Sequence, residues 1–267
     1  MKFRDKLSQA IQSQDSLLCV GLDPYPELLP IKDVLRFNQA IIEATQDLVC
    51  AYKPNLAFYE ALGLPGLRAL EKTRRYIPSS IPFIGDAKRG DIGSTAQAYA
   101  RALFDVFGFD AITVNPYLGY DSIAPYLKYE DKAIFLLCKT SNPGAADFQP
   151  FVYELIARKA REWNREGNVG LVVGATYPQD LKRVRELCPD LVLLIPGVGT
   201  QGGEVEAAVS HGIDRQGEGA IISVTRQIIY ASHGRDYAQK ARQAALALRR
   251  EINNYRRPNL TLLSGQA

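Results

Sequence analysis

The chain has 267 residues, 46% of them hydrophobic and 23% charged, with a formal charge of +3. This is an ordinary core-forming composition, and the charge is too small and too dispersed to argue for a nucleic-acid partner. No apolar run approaches the ~18 residues of a membrane span, the N-terminal MKFRDKLSQAIQSQ has no signal-peptide core, and two histidines argue against a histidine-rich metal site.

Phe3, Leu7 and Ile11 fall on one stripe at helical spacing, which predicts an N-terminal helix covering one end of the fold. Strands are then predicted near 16–23 (SLLCVGLD), 49–55 (VCAYKPN), 81–88 (IPFIGDAK) and 111–116 (AITVNP). Four more follow near 133–139 (AIFLLCK), 169–175 (VGLVVGA), 191–197 (LVLLIPG) and 219–225 (GAIISVT). Their apolar runs are continuous rather than alternating, the pattern of strands buried on both faces. Each interval between them is long enough for a crossover helix. Eight such units predict an α/β chain closed into a (β/α)8 TIM barrel, a single domain over residues 1–267; an open doubly wound sheet is the alternative. The last helix is marked by Tyr237, Ala241, Ala244, Leu248, Ile252 and Tyr255 at three- and four-residue steps. Ser232 is the candidate cap at its start, and Pro258 is expected to end it, leaving 259–267 as a short loose tail. Cys19, Cys50, Cys138 and Cys188 form no CxxC pair and read as small core residues of a reduced, cytoplasmic protein.

Barrel enzymes place their chemistry at the C-terminal ends of the strands. Polar and ionisable residues recur there: Asp23, Lys53, Asp86, Lys88, Asn115, Lys139, Ser141 and Arg226. The densest stretch is Gly85-Asp86-Ala87-Lys88-Arg89-Gly90-Asp91-Ile92-Gly93-Ser94-Thr95. On a regular strand Asp86 and Lys88 share a face, and Asp91 is placed to open the next helix, where the dipole favours a carboxylate. An ion pair followed by a helix cap is the structural reading. The functional reading holds a lysine between carboxylates, which favour its ammonium form. Such a lysine is a poor Schiff-base nucleophile and well suited to stabilise and then protonate a carbanion. The glycine-rich run 196–203 (PGVGTQGG) follows strand 7, and Arg226 follows strand 8, where barrels of this kind often bind phosphate. The turn around 199–203 is the candidate lid.

These segments together resemble the orotidine 5′-phosphate decarboxylase family, most closely its longer bacterial branch. The resemblance runs from Gly21-Leu22-Asp23 through Tyr52-Lys53-Pro54-Asn55, the Asp86–Ile92 stretch, Thr113-Val114-Asn115-Pro116-Tyr117 and Lys139–Ala145 to Pro196–Gly203 and Arg226. It implies a charged tetrad of Lys53, Asp86, Lys88 and Asp91, with Asp91 and Thr95 reaching the site of a second subunit in a homodimer. It also implies that Asp23 and Lys53 bind ribose, that Ser141 meets the pyrimidine, and that Gln201 and Arg226 hold the 5′-phosphate. Asn115 and Pro196 complete the substrate-binding set. Gly93 departs from the family pattern, in which proline commonly follows Asp-Ile.

The implied reaction is loss of CO2 from orotidine 5′-phosphate to give UMP, the last step of de novo pyrimidine nucleotide synthesis. No pyridoxal, thiamine or metal signature is visible, so positioning and electrostatics are expected to carry the chemistry without a cofactor. A metal-assisted sugar-phosphate decarboxylase or aldolase of the sister branch, a Schiff-base aldolase and a silent nucleotide-binding barrel are the alternatives.

Overall fold

The computed structural model describes residues 1–199 and 204–264, with side chains described as far as residue 256. Eight parallel strands form one sheet: β1 (Leu18–Gly21), β2 (Ala51–Lys53), β3 (Ile84–Arg89), β4 (Ala111–Val114), β5 (Ala133–Lys139), β6 (Val169–Val173), β7 (Leu193–Pro196) and β8 (Ala220–Val224). Their spatial order is β2-β1-β8-β7-β6-β5-β4-β3. The two ends of this series meet through parallel bridges at Tyr52–Phe83 and Asn55–Asp86. Tyr52 N–H donates to Pro82 C=O at 3.0 Å and Asp86 N–H to Pro54 C=O at 2.9 Å. The sheet is thus a closed barrel, and all eight strands lie where the sequence places them. The strands β1, β2, β4, β6 and β8 are buried at every position, which is why their sequences show no two-residue alternation.

The helices are α1 (Phe3–Gln14), α2 (Val34–Thr45), α3 (Leu56–Ala61), α4 (Gly63–Thr73), α5 (Gly93–Arg101), α6 (Tyr120–Leu127), α7 (Gln149–Trp163), α8 (Pro178–Leu187), α9 (Val205–Gly212), α10 (Arg226–Ile229) and α11 (Tyr237–Ser264). Among the described residues, no helix is long and apolar enough to cross a membrane. All four cysteines are buried as free thiols.

One mouth of the barrel is sealed by α1. Phe3, Leu7 and Ile11 are buried there, and the Phe3 ring meets Phe135 edge-on at 5.8 Å. Lys6 donates to Asp110 Oδ2 at 2.8 Å, and the same oxygen accepts the Phe83 N–H at 2.9 Å. Burial pulls Lys6 below its ordinary pKa against the opposing pull of Asp110. Asp110 and Phe83 lie just before β4 and β3, so this plug covers the N-terminal strand ends. On the same side, the Arg185 guanidinium donates to the carbonyls of Gly212, Cys188, Pro189, Leu191 and Gly219 at 2.5–3.1 Å. Burial lowers its pKa to about 10. The C-terminal mouth remains open for chemistry.

Two expectations for the last helix need correction. Ser232 lies well before Tyr237 and bonds Asp236 Oδ1 and the Gly234 N–H, closing a turn rather than capping α11. The helix also continues past Pro258 to Ser264, so residues 259–264 are not a loose tail; 265–267 lie outside the described residues. Proline removes one helical hydrogen bond but leaves the backbone path open to continue.

Candidate active site

The open mouth is organised by an irregularity in β3. Its pairing with β4 slips in register between Gly85 and Arg89. Lys88 sits in the left-handed region at φ 48°, a conformation that costs a non-glycine residue about 1–3 kcal/mol. Its backbone N–H donates to Thr113 Oγ1 at 2.9 Å, a side-chain acceptor on the neighbouring strand. Its ammonium then reaches Asp86 Oδ1 at 2.5 Å. Asp86 and Lys88 meet as expected, but through a bulged strand rather than regular alternation.

Asp86 is the hub. Its Oδ2 accepts from Lys53 at 2.8 Å, and its Oδ1 accepts from the Thr113 hydroxyl at 3.0 Å as well as from Lys88. Burial opposes its ionisation, but the ammonium groups of Lys53 and Lys88 outweigh that and hold the carboxyl well below the usual range. Lys53, the last residue of β2, has a side chain only 6% exposed. Burial works against its charge, yet the carboxylates of Asp86 and Asp23 keep its pKa above the ordinary lysine value. Asp23 shows the opposite balance: burial pushes its pKa up despite Lys53. Its Oδ1 accepts the Asn55 N–H at 2.9 Å, and its neighbour Leu22 is tied down by the Tyr59 hydroxyl at 2.7 Å.

These groups face a cleft of about 840 Å³. Its charged lining is Asp23, Lys53, Asp86, Lys88 and Arg226, and Ser141 and Pro196 also belong to its wall. Asp91, Thr95, Asn115 and Lys139 do not. Asp91 accepts the Ile92 N–H at 2.8 Å just outside the cleft and precedes α5 rather than capping it, and Thr95 is exposed on the first turn of that helix. Asn115 caps the turn Pro116–Leu118 through the Tyr117 N–H at 3.0 Å. Lys139 is buried beside Asp180 at 3.4 Å and lies 4.5 Å from the centre of the Tyr177 ring, a structural role. Gly93 adopts φ 55°, a conformation that a proline ring forbids. Gln201 and the rest of 200–203 lie outside the described residues.

Sequence reasoning gave no role to Thr113, Gln149 or Tyr230, all of which line the cleft. Gln149 makes two bonds with Thr140, each 2.8 Å, bracing the loop that carries Ser141. The Tyr230 hydroxyl donates to Asp23 C=O and accepts the Tyr25 N–H, both at 2.7 Å. Period-two reasoning from Asn115 does not find Thr113, because Asn115 itself lies outside the cleft. Among the described residues, no three His, Cys, Asp or Glu side chains gather to hold a metal ion.

The family model described as "Orotidine 5'-phosphate decarboxylase / HUMPS family" matches residues 16–241. The chain belongs to this family. The match spans all eight strands and leaves the sealing helix α1 outside it. An orotidine 5′-phosphate decarboxylase from Dehalococcoides mccartyi is 51% identical, the match covering 96% of this chain and 99% of that protein. A solved structure from Toxoplasma gondii, assigned to orotidine monophosphate decarboxylase, superposes with a TM-score of 0.92 at 40% identity, covering 98% of each chain. The Leishmania donovani OMP decarboxylase structure gives 0.86 at 42% identity, covering 96% of this chain and 99% of that one. The decarboxylase fold therefore extends over nearly the whole chain.

Proposed function

We propose that the chain decarboxylates orotidine 5′-phosphate to UMP and CO2 without a cofactor, as one barrel domain in the cytoplasm. The observation that carries this reading is the single carboxylate of Asp86 shared by a buried lysine and a half-exposed one. In the reaction the C6–carboxylate bond breaks, CO2 leaves, and the electron pair stays on C6. Lys88 stabilises that charge and supplies the replacing proton from Nζ. Asp86 and Lys53 hold Lys88 oriented, so little reorganisation is needed as charge develops. Asp23 and Lys53 bind the ribose hydroxyls, Ser141 meets the pyrimidine, and Arg226 with Gln201 grips the phosphate. Asn115 and Pro196 shape the rim and wall. Phosphate binding, remote from C6, supplies binding energy for assembling the reactive site.

The active form in this reading is a homodimer in which Asp91 and Thr95 complete the partner's site. Both sit on the rim beside exposed apolar side chains, Ile92 and, on the adjoining turn, Tyr117 at 87% exposure. Such side chains suit burial against a second copy. The ligand is a nucleotide, with no nucleic-acid or membrane partner in this reading.

An ultraviolet assay with orotidine 5′-phosphate, with and without excess EDTA, tests the proposal. Chelator-insensitive formation of UMP is expected. Conversion abolished by EDTA, or none by folded protein, sinks it and points to the metal-assisted sugar-phosphate chemistry of the sister branch.

A further inference from the structure

We infer that Thr113 is a positioning residue for the decarboxylation, holding both members of the Lys88–Asp86 pair through one hydroxyl; this rests on the function proposed above. Thr113 is the third residue of β4 and only 2% exposed, yet it belongs to the cleft wall. Its Oγ1 lies 2.9 Å from the backbone nitrogen of Lys88 and 3.0 Å from Asp86 Oδ1. Proton directions follow from chemistry: a backbone N–H only donates and an ionised carboxylate only accepts. The hydroxyl therefore accepts from Lys88 and gives its single proton to Asp86.

This arrangement answers a backbone problem. Lys88 has φ 48°, and β3 slips in register against β4 over the same stretch. Thr113 gives the Lys88 N–H a partner where the pairing is irregular, which helps hold a strained conformation. The same atom fixes the rotation of the Asp86 carboxylate so that Oδ2 faces Lys53 and Oδ1 faces Lys88. Backbone of the proton donor and side chain of its orienting acid are thus set by one group that performs no chemistry itself. Valine has nearly the same shape but neither donates nor accepts, whereas serine keeps the hydroxyl.

The test compares the full-length wild type with T113V and T113S. For T113V, kcat should fall roughly 10- to 100-fold, as expected when a reacting group is misplaced by a fraction of an ångström. KM and the Kd for UMP should stay within about threefold, because ribose and phosphate contacts remain, and T113S should recover most of the lost kcat. Wild-type kcat in T113V overturns the inference, as does a loss of UMP binding as large as the loss of kcat. A wild type inactive on orotidine 5′-phosphate would instead sink the proposed function. A crystal structure of T113V, or of T113A should the valine variant not fold, gives a readout independent of turnover. Movement of Lys88 out of the left-handed region supports the inference; Lys88 unmoved and still on Asp86 overturns it.

Discussion

Lys53 and Lys88 bind opposite oxygens of one carboxylate: Lys53 meets Oδ2 of Asp86 at 2.8 Å, and Lys88 meets Oδ1 at 2.5 Å. Their side chains are 6% and 49% exposed, so one lysine is an anchor and the other reaches into the cleft. The Asp86 carboxylate determines the working geometry of both.

Replacing Asp86 by asparagine should therefore damage stability and turnover together. Removing one partner of a buried pair typically costs about 3–5 kcal/mol, and turnover should fall at least ~10³-fold. The pH dependence separates this from a general loss of stability. Asp86 is held below its ordinary value of 3.8, so its stabilising contribution is present above pH 3.8 and lost as pH falls through the folded value. Lys53 is held above 10.5, so its contribution is present below pH 10.5 and lost as pH rises through the folded value. Urea midpoints measured across pH should show a flatter acid limb in D86N than in wild type. Identical acid limbs would remove Asp86 from the account.

Lys88→Ala should lower turnover at saturating substrate by at least ~10³-fold, since a direct charge does more than one oxyanion-hole donor. Asp91→Ala should also be nearly inactive if Asp91 serves the partner's site. In a mixed dimer one site would then carry both substitutions and the other neither. Random mixing of the two inactive proteins should restore about a quarter of wild-type activity, because half the dimers are mixed and half their sites intact. No recovery, with exchange of subunits verified by mass, would place Asp91 in its own subunit's site or outside catalysis.

Arg226→Ala should weaken UMP binding about 10- to 100-fold, the scale of a charge-assisted contact to phosphate. Uridine, which lacks the phosphate, should bind both proteins alike. Calorimetry with the two ligands decides the matter, and equal UMP affinity would reassign the phosphate grip.

A methyl group on Gly174 would stand 2.8 Å from both Cα and N of Ser141 and 2.9 Å from its Cβ. Two of those three atoms are backbone, so Gly174→Ala must displace the loop itself. Turnover should drop about tenfold or more through misplacement of Ser141, with ~1–3 kcal/mol lost from overpacking. Wild-type turnover in this variant would show that the position of Ser141 is not critical.

The barrel was legible because its strands are buried on both faces, a condition that leaves continuous apolar runs such as AIFLLCK. Asp23, Lys53, Asp86, Lys88, Ser141 and Arg226 were legible as polar or ionisable residues at strand ends and Pro196 as the start of a glycine-rich run, and the cleft gathers all seven. Thr113 was not, since threonine in a strand reads as an ordinary β-former and its bonds depend on a register slip visible only in three dimensions. Lys139 stands at a strand end like the others, but its neighbours Tyr153, Asp180 and Tyr177 come respectively from α7, α8 and the loop before α8 and are invisible to strand spacing. Pro258 misled because a propensity is an average penalty, and the long helix before it carries the chain onward.

The plug formed by α1, Lys6 and Asp110 lies at the mouth opposite the chemistry, and α1 lies outside the segment shared with the family model. The buried Lys6–Asp110 pair and the Asp86 cluster therefore sit at opposite ends of the barrel. Substitutions in the plug can raise or lower the melting temperature while leaving the ligand contacts in place. This division gives the protein room to adapt to a hotter or colder setting without renegotiating its catalytic geometry.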